Sequence, residues 1–537
     1  MNGADAPRAA GLLLSLLSGG LLFLAFPPAD LGWLAFVALV PLLAVAARTT
    51  PRTAALYGLA CGTAFFAPLL YWITIVMSLY GGLSIVVAAS ILALLVLYLA
   101  TYVALYAALV AAASIRWGWR GLLLAPVFWV GLEILRGHLL TGFPWGLAGY
   151  SQWRNLALLQ LSSLGGVYLT SFVVLLANSG LALLLLRPPG RAPRTAGVLL
   201  LALAATAHLG GRAILPLAES WSAGPPSGPA PIRVAAIQAN VAQGVKWRPG
   251  EEQRIVADLL AMSDEAAQEG ADLVIWPESS SPLSFYRPAA TVGATAAVPI
   301  EPRREFLQMV EDSARQGGYT LIAGSVGYHY EGERLRATNS AFVIGPDGVG
   351  SSYDKVHLVP FGEYVPLGKV LFFVDRMVQG AIAEFAPGRR LRPLATPAGQ
   401  AGTFVCYEAI FPELVRRVAI SSDFLINITN DAWFGRSAAP RQHLAMAVFR
   451  APENRRWLVR AANTGISALV DPGGRVVAST PLEVRTILSG RIAKQSGPTL
   501  YARTGDVFAW ACAIVTLLSG AALRAAVPRR ALGGRAP

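Results

Sequence analysis

GTFVCYE, at residues 402–408, is an apolar strand-like run that ends directly in a cysteine. The run LVIWPE at 273–278 ends in Glu278 in the same way, and SSYDK at 351–355 ends in Lys355. Side chains at strand ends are held by rigid backbone and still reach solvent. Glu278, Lys355 and Cys406 are therefore candidates for one functional site.

The region around these motifs, residues 221–504, has the pattern of an α/β domain. Short β-branched and apolar runs alternate with helical stretches such as 251–269 and 440–460. The alternation predicts layered sheets of mostly buried strands. The Pro/Gly/Ser-rich stretch SAGPPSGPAP at 222–231 predicts a linker into this domain.

The rest of the chain is too apolar for a soluble protein. Of 537 residues, 54% are hydrophobic and 14% charged, and the first 220 contain no lysine. A membrane-spanning helix needs about 20 apolar residues. The sequence predicts a seven-helix membrane domain at 1–220 and an eighth helix with a tail at 505–537. The eight predicted spans lie at roughly 9–26, 31–47, 54–79, 82–113, 119–136, 160–186, 195–211 and 506–526.

Arginines beside these spans predict the orientation. With the N-terminus inside, most of them fall on the cytoplasmic side, and only Arg136, Arg154 and Arg212 fall near membrane ends on the other side. This predicts a multi-pass protein of the cytoplasmic (inner) membrane with both termini in the cytoplasm and residues 221–504 outside it, in the periplasm or its equivalent. The net charge of +13 is mostly juxtamembrane, so nucleic acid is excluded as a partner.

Cysteine usage separates Cys406 from the other thiols. Cys61 and Cys512 fall in predicted spans, which leaves Cys406 as the only cysteine of the exported domain. Taken singly, such a cysteine is more often a small buried hydrophobe, and a glutamate such as Glu278 a cap or ion-pair partner. An unpaired thiol in an oxidising compartment is nevertheless a liability unless its chemistry is used. A carboxylate, an ammonium and a thiol together suit acyl transfer through a thioester.

No cofactor is expected. The five histidines are scattered without a metal-ligand spacing, so no metal site is predicted. The sequence has no nucleotide-binding fingerprint and no GxSxG elbow.

Longer motifs carry a resemblance to a known family. At Glu278, Lys355 and Cys406 the chain resembles the nitrilase superfamily, whose members place Glu, Lys and Cys on an αββα sandwich. It is closer still to the apolipoprotein N-acyltransferase family. Two segments depart from the family pattern, RAANTG at 460–465 and Pro452 within RAPE. The similar stretches are TGFPW, GYSQ, KW (246–247), VIWPE (274–278), YDKVHLVPFGEYVP (353–366), CYE (406–408), NDAWFG (430–435), RAPE (450–453) and LYARTGD (500–506).

The resemblance implies a mechanism and its substrates. Glu278 is expected to take the proton of Cys406, whose thiolate attacks a phospholipid ester and forms a thioester. Lys355 and the backbone N–H after Cys406 would stabilise the oxyanion. The acceptor would be the α-amino group of the N-terminal diacylglyceryl-cysteine of an apolipoprotein, and the enzyme is expected to be a monomer.

The resemblance also implies supporting residues. Glu363 and Glu408 are expected to hold Lys355 and the nucleophile region in place. The aromatic residues Trp247, Tyr407 and Trp433 are interpreted either as walls of a substrate channel or as ordinary core. Glu453 is either a distal anchor or a helix-surface charge.

Several alternatives stay open at this stage. Glu133 within the fifth span either faces a polar cavity or pairs with Arg136. The apolar segment 364–386 is either an arm that dips into the membrane or a helix packed on the domain. Rival functions are a membrane-tethered nitrilase-type amidase and a non-enzymatic membrane scaffold or transporter.

Overall fold

A computed structural model describes the fold of most of the chain. The described residues are 6–223, 230–246, 248, 250–285, 304–331, 334–364 and 385–525.

The N-terminal third is helical, as its apolar composition predicts. Short 3-10 turns join several helices, and residues 76–80 form a π-helical turn after α4. The helices are α1 (Ala6–Leu24), α2 (Val40–Ala46), α3 (Pro51–Leu69), α4 (Trp72–Ile75), α5 (Ile85–Trp117), α6 (Ala125–Arg136), α7 (Leu156–Leu159), α8 (Ser162–Leu186) and α9 (Ala192–Ala223).

Two glycines one helical turn apart bring α3 and α5 into backbone contact. A Cβ atom on Gly58 would lie 2.4 Å from the carbonyl oxygen of Val103, and one on Gly62 would lie 2.7 Å from the Cα of Ala100. Close backbone approach through small residues is a common way for helices to associate in a membrane, where lipid offers no hydrophobic driving force.

The number of spans differs from the predicted eight. Among the described residues, four helical stretches are long and apolar enough to cross a membrane, and a fifth results if α3 and the segment Trp72–Tyr80, bent by 48°, are one span. The first two predicted spans correspond to shorter apolar helices, and the fourth and fifth lie in one helical run with a break at Gly118, where φ is +59°. The apolar helical domain is confirmed, and the count of eight stays a prediction. The four stretches are 85–136, 162–186, 192–222 and 507–524.

The polar region folds into two six-stranded mixed sheets. The first sheet has the order β12-β1-β2-β3-β4-β5 and the second β11-β10-β9-β8-β7-β6. Parallel pairs form the centre of each sheet and antiparallel pairs its edges. The strands are β1 (Ile232–Gln238), β2 (Leu273–Ile275), β3 (Thr320–Glu331), β4 (Arg334–Gly345), β5 (Gly348–Asp354), β6 (Leu394–Thr396), β7 (Gly399–Val405), β8 (Phe424–Thr429), β9 (Leu458–Ala462), β10 (Ala468–Val470), β11 (Val476–Ser479) and β12 (Thr486–Ile492).

Helices cover the outer faces of both sheets. The two sheets share one apolar core, to which Ile275 of β2 and Val459 of β9 contribute. The opposite face of the first sheet packs on the helices Glu252–Gln268 and Arg304–Gly317, and that of the second on the helices Pro412–Ala419 and Ala439–Asn454. The layers therefore run helix, sheet, sheet, helix, as the resemblance implies. The remaining helices are α10 (Gln243–Lys246), α11 (Glu252–Gln268), α12 (Arg304–Gly317), α13 (Pro412–Ala419), α14 (Ala439–Asn454), α15 (Leu500–Thr504) and α16 (Val507–Ala525).

Helix α14 lies between the second sheet and the membrane helices. Every residue of it except Arg441 is buried. From α14, Gln442 accepts a hydrogen bond from Trp145 Nε1 (2.9 Å) and donates to the carbonyl of Pro27 (2.9 Å). The two regions of the chain are therefore joined by a packed, hydrogen-bonded interface.

Candidate active site

The three predicted residues meet where strand ends from the two sheets come together. Glu278 follows β2, Lys355 follows β5, and Cys406 follows β7. β2 belongs to the first sheet and β7 to the second. A hydrogen bond links the two sheets at this point: the backbone N–H of Asn430, which follows β8, donates to Glu278 Oε2 at 2.8 Å.

Glu278 is a buried carboxylate with several donors. Lys355 Nζ lies 3.4 Å from Glu278 Oε1, and Asn339 Nδ2 donates to the same oxygen at 2.7 Å. Burial alone would raise the pKa of this carboxyl, but Lys355 and hydrogen bonds from Asn339, Cys406 and Asn430 hold the pKa below its ordinary value. Glu278 is therefore ionised at neutral pH and can accept a proton.

Lys355 is shared by two carboxylates. Its Nζ lies 2.9 Å from Glu363 Oε1, and the side chain is 1% exposed. Burial would lower the pKa of Lys355, but Glu363, Glu278 and Cys406 raise it above its ordinary range. Asn339 Nδ2 also donates to Glu363 Oε1 at 2.8 Å, so one amide bridges both acids. Lys355 therefore stays a fixed positive charge.

Cys406 is a buried thiol on strained backbone. Its φ is +49°, a left-handed conformation that non-glycine residues rarely adopt and that clusters at functional sites. Burial raises the pKa of the Cys406 thiol well above its ordinary range, Glu278 adds to the rise, and Lys355 opposes it. The resting site therefore holds a thiol beside a carboxylate, and attack requires proton transfer as the new bond forms.

Glu408 ties the nucleophile turn to the lysine turn. It accepts hydrogen bonds from the backbone N–H groups of Val405 (2.7 Å), Val356 (2.7 Å) and His357 (3.0 Å). The hydroxyl of Tyr353 also donates to it at 3.0 Å. One buried carboxylate thus fixes the backbone on both sides of the site.

The other supporting residues differ in position. The rings of Tyr407 and Phe411 meet in a T-shaped contact with centroids 5.2 Å apart, and those of Trp433 and Tyr80 of the membrane region do the same at 5.2 Å. Trp247 lies outside the described residues, as does most of the predicted arm at 364–386.

Glu453 is a buried anchor and not a surface charge. Its Oε1 accepts from Arg450 Nη2 at 2.9 Å and from the N–H of Val167 at 3.1 Å. Val167 directly follows Gly165 and Gly166, whose backbone breaks the regular geometry of α8. Glu453 therefore connects α14 to the membrane helices and, among the described residues, makes no hydrogen bond to Glu278, Lys355 or Cys406.

Glu133 and Arg136 use separate partners. Glu133 Oε1 accepts from Trp129 Nε1 (2.8 Å) and from the N–H of Ala148 (2.7 Å). Arg136 Nη1 donates to the carbonyl of Trp145 at 2.7 Å. Both side chains thus hold the loop that carries TGFPW.

Two polar residues of the site were missed at the level of sequence. Asn339 lies within β4, away from any strand end, and its neighbours Thr338 and Ser340 are polar as well, so the sequence pattern does not single it out. Lys246 on α10 is 1% exposed, and its Nζ lies 3.4 Å from the carbonyl oxygen of Glu278. Burial lowers the pKa of Lys246 to about 8, while Glu278 opposes that change.

Comparisons with known proteins identify two family matches and several relatives. Residues 18–180 match the family described as apolipoprotein N-acyltransferase N-terminal domain, and residues 233–499 match carbon-nitrogen hydrolase. The chain is 43% identical to the apolipoprotein N-acyltransferase of Geobacter metallireducens, over 98% of this chain and 96% of the relative. It is 37% identical to that of Azotobacter vinelandii, over 99% of both chains. A solved amidase from Nesterenkonia sp. is 23% identical, with a TM-score of 0.35, over 51% of this chain and 92% of the amidase.

Proposed function

Because this chain belongs to the apolipoprotein N-acyltransferase family, we propose that the thiol of Cys406 carries the transferred acyl chain as a thioester. The chain is an acyltransferase of lipoprotein maturation, with a carbon-nitrogen hydrolase domain. The observation that carries the proposal is the convergence of Glu278, Lys355 and Cys406 from two sheets onto one buried site.

In the first half-reaction the acyl donor is a membrane phospholipid. Glu278 takes the thiol proton while Cys406 Sγ forms a bond to the ester carbonyl carbon, whose π electrons move to oxygen. As the tetrahedral intermediate collapses, the carbon–oxygen ester bond breaks and Glu278 protonates the leaving lysophospholipid oxygen. The ionised state of Glu278 and the hydrogen bond that it accepts from the Cys406 thiol support this assignment of base and nucleophile.

Two donors stabilise the oxyanion of that intermediate. One is the Lys355 ammonium, which Glu363 and Glu278 keep protonated. The other is the N–H of Tyr407, which lies in the first turn of the 3-10 helix Cys406–Ile410, where amide groups have no partner within the helix. One donor of this kind contributes about 3 kcal/mol.

In the second half-reaction the acceptor is the N-terminal diacylglyceryl-cysteine of an apolipoprotein. Its α-amino nitrogen attacks the thioester carbonyl, Glu278 accepts a proton from that nitrogen, and the carbon–sulfur bond breaks. Cys406 regains the proton from Glu278, and the product carries an amide-linked third chain.

The orientation of the enzyme in the membrane has to bring the catalytic domain to the side on which phospholipid and apolipoprotein meet. We propose eight membrane spans with domain boundaries at 1–220, 221–504 and 505–537, the catalytic domain in the periplasm and both termini in the cytoplasm. The protein works as a monomer in the inner membrane. The arginine distribution supports this orientation.

The experiment is intact mass analysis of the full chain in vesicles that contain phospholipid with a labelled acyl chain. We expect one hydroxylamine-sensitive acyl adduct on Cys406, and its loss on addition of a diacylglyceryl peptide. Cys406→Ala should carry none, while the matched control Cys512→Ala should keep it. An adduct that persists in Cys406→Ala, or none in the wild type, would refute the proposal. Ammonia release from small amides without an adduct would favour the amidase instead.

A further inference from the structure

A buried histidine holds the carbonyl group of the proposed nucleophile. His443 on α14 is 1% exposed, and its Nε2 lies 3.0 Å from the carbonyl oxygen of Cys406. A carbonyl oxygen can only accept a hydrogen bond, so Nε2 carries the proton and donates it. A side chain of the domain's membrane-facing helix therefore touches the nucleophile residue directly.

The other ring nitrogen of His443 is fixed by two charged groups. Its Nδ1 lies 3.1 Å from Arg460 Nη2 and 3.1 Å from Asp431 Oδ1. Burial and Arg460 lower the pKa of His443 more than Asp431 raises it, so the ring is neutral and Nδ1 accepts from Arg460. Arg460 Nη2 also donates to Asp431 Oδ2 at 2.8 Å. Donation from Arg460 to Nδ1 therefore supports the tautomer that places the proton on Nε2, and Asp431 orients the Arg460 guanidinium.

The surroundings leave this ring little freedom. The indole of Trp145 stacks on it with centroids 6.0 Å apart, and Phe434 meets it edge-on at 6.1 Å. Arg460 is itself fully buried and donates to the carbonyl of Ile466 at 3.2 Å. His443 thus has a rigid support on every side that the structure describes.

The bond from His443 acts on one particular peptide unit. The carbonyl of Cys406 belongs to the same peptide plane as the N–H of Tyr407. A donor on the carbonyl fixes the rotation of that plane, and it polarises the peptide so that its N–H becomes a stronger donor. The left-handed φ of +49° at Cys406 makes such support necessary, because this conformation costs about 1–3 kcal/mol.

We propose that His443 is a positioning residue for acyl transfer: it orients the Cys406–Tyr407 peptide so that the Tyr407 N–H points at the oxyanion. The inference rests on the proposed thioester mechanism and assigns a role to a residue outside the Glu278, Lys355 and Cys406 set. His443 itself touches neither the acyl donor nor the acceptor in this scheme.

The test compares two replacements of similar size. His443→Gln keeps an N–H donor near the position of Nε2, and His443→Met removes it. Two rates are measured on the full chain in vesicles: single-turnover acylation of Cys406 by a fluorescent phospholipid, and alkylation of Cys406 by iodoacetamide, read by peptide mass spectrometry. Acylation builds an oxyanion, whereas alkylation builds none.

We expect Cys406 to be acylated about 30-fold more slowly in His443→Met than in the wild type. This loss is smaller than the one seen when an oxyanion donor is removed outright, because the Tyr407 N–H is still present. The alkylation rate of His443→Met should stay within about twofold of the wild type, because the thiol and Glu278 are untouched, and His443→Gln should recover most of the acylation rate. The KM for phospholipid should stay unchanged while kcat falls. Should the Met variant fail to fold, His443→Asn, whose amide ends short of the carbonyl, replaces it.

Three outcomes would overturn the inference. The first is a His443→Met variant that acylates Cys406 at the wild-type rate. The second is a His443→Met variant in which the acylation and alkylation rates fall by the same factor. The third is a folded His443→Gln variant that acylates no faster than His443→Met. The second would mean that His443 holds the thiol and not the peptide. A wild type without any adduct on Cys406 would instead refute the proposed function itself.

Discussion

Replacing Asn339 by alanine should move the acid limb of the pH–activity profile. The Asn339 amide donates to Glu278 Oε1 at 2.7 Å and to Glu363 Oε1 at 2.8 Å, and both acceptors are buried. Glu278 acts in its ionised form, and its pKa now lies below the ordinary value. Losing a donor to the carboxylate raises that pKa, so the base becomes protonated at a higher pH.

The size of the shift follows from the strength of one bond. A hydrogen bond to a charged group contributes about 1.5–3 kcal/mol, and one pKa unit corresponds to about 1.4 kcal/mol. The acid limb of kcat/KM should therefore move up by about 1 to 2 pH units. The loss of activity should be large near pH 5 and small near pH 8, where Glu278 stays ionised in Asn339→Ala.

Asn339→Ala should also be less stable than the wild type, by an amount that depends on pH. A carboxyl with a depressed folded pKa stabilises the fold above its unfolded pKa, and this contribution is lost as pH falls through the folded pKa. The unfolding midpoint of Asn339→Ala should therefore lie below that of the wild type at pH 7, and the gap should narrow toward pH 4.

The assay is acyl transfer to a diacylglyceryl peptide between pH 4 and pH 9, with thermal unfolding in parallel. Asn454→Ala is the matched control, because the Asn454 amide donates to the carbonyl of Arg450 at 2.9 Å and to no carboxylate. It should keep the wild-type acid limb. The reasoning would be refuted if the acid limb of the pH–activity profile stayed in place in Asn339→Ala and activity fell by the same factor at every pH.

Three further predictions concern charge and packing. Lys355→Met should slow single-turnover acylation at least about 100-fold, because it removes an oxyanion donor; a loss below tenfold would contradict that role. Gly58→Ala should lower the unfolding midpoint in fluorimetry, since its Cβ would press on α5, whereas Gly20→Ala, with nothing within 4 Å, should not; equal midpoints would contradict the α3–α5 contact. Glu453→Ala should cost about 1.5–3 kcal/mol in denaturant unfolding, because it removes a hydrogen bond to the buried Arg450 guanidinium. Burial raises the pKa of Glu453 to about 8, so the lost bond at neutral pH is mostly that of an uncharged carboxyl; a cost under about 1 kcal/mol would mean that this bond is not needed.

The sequence predicted Glu278, Lys355 and Cys406 because each ends a recognisable strand, and strand ends of a layered sheet converge. Asn339 and His443 could not be found in this way. Asn339 lies inside β4, and its importance comes from two acids that reach it from β2 and from the turn after β5. His443 lies on a helix far along the chain from Cys406, so only the packing of α14 on the nucleophile turn reveals its partner.

The membrane part was predicted in kind but not in detail. Hydropathy depends only on the length and composition of apolar segments, so the apolar segments that it identified are helical in the structure. It does not register breaks such as the one at Gly118 or the 48° bend after α3, since those depend on backbone conformation and on neighbouring helices.

The burial of α14 on both sides has a practical consequence for anyone who wishes to isolate the catalytic region. A fragment that starts at the linker near residue 230 would contain both sheets, yet it would leave one face of α14 without its cover. That face bears Gln442, Arg450 and Glu453, whose partners Trp145, Tyr150 and Val167 would be missing. Such a fragment should therefore be less stable than the full chain, although the linker is the boundary that the sequence suggests.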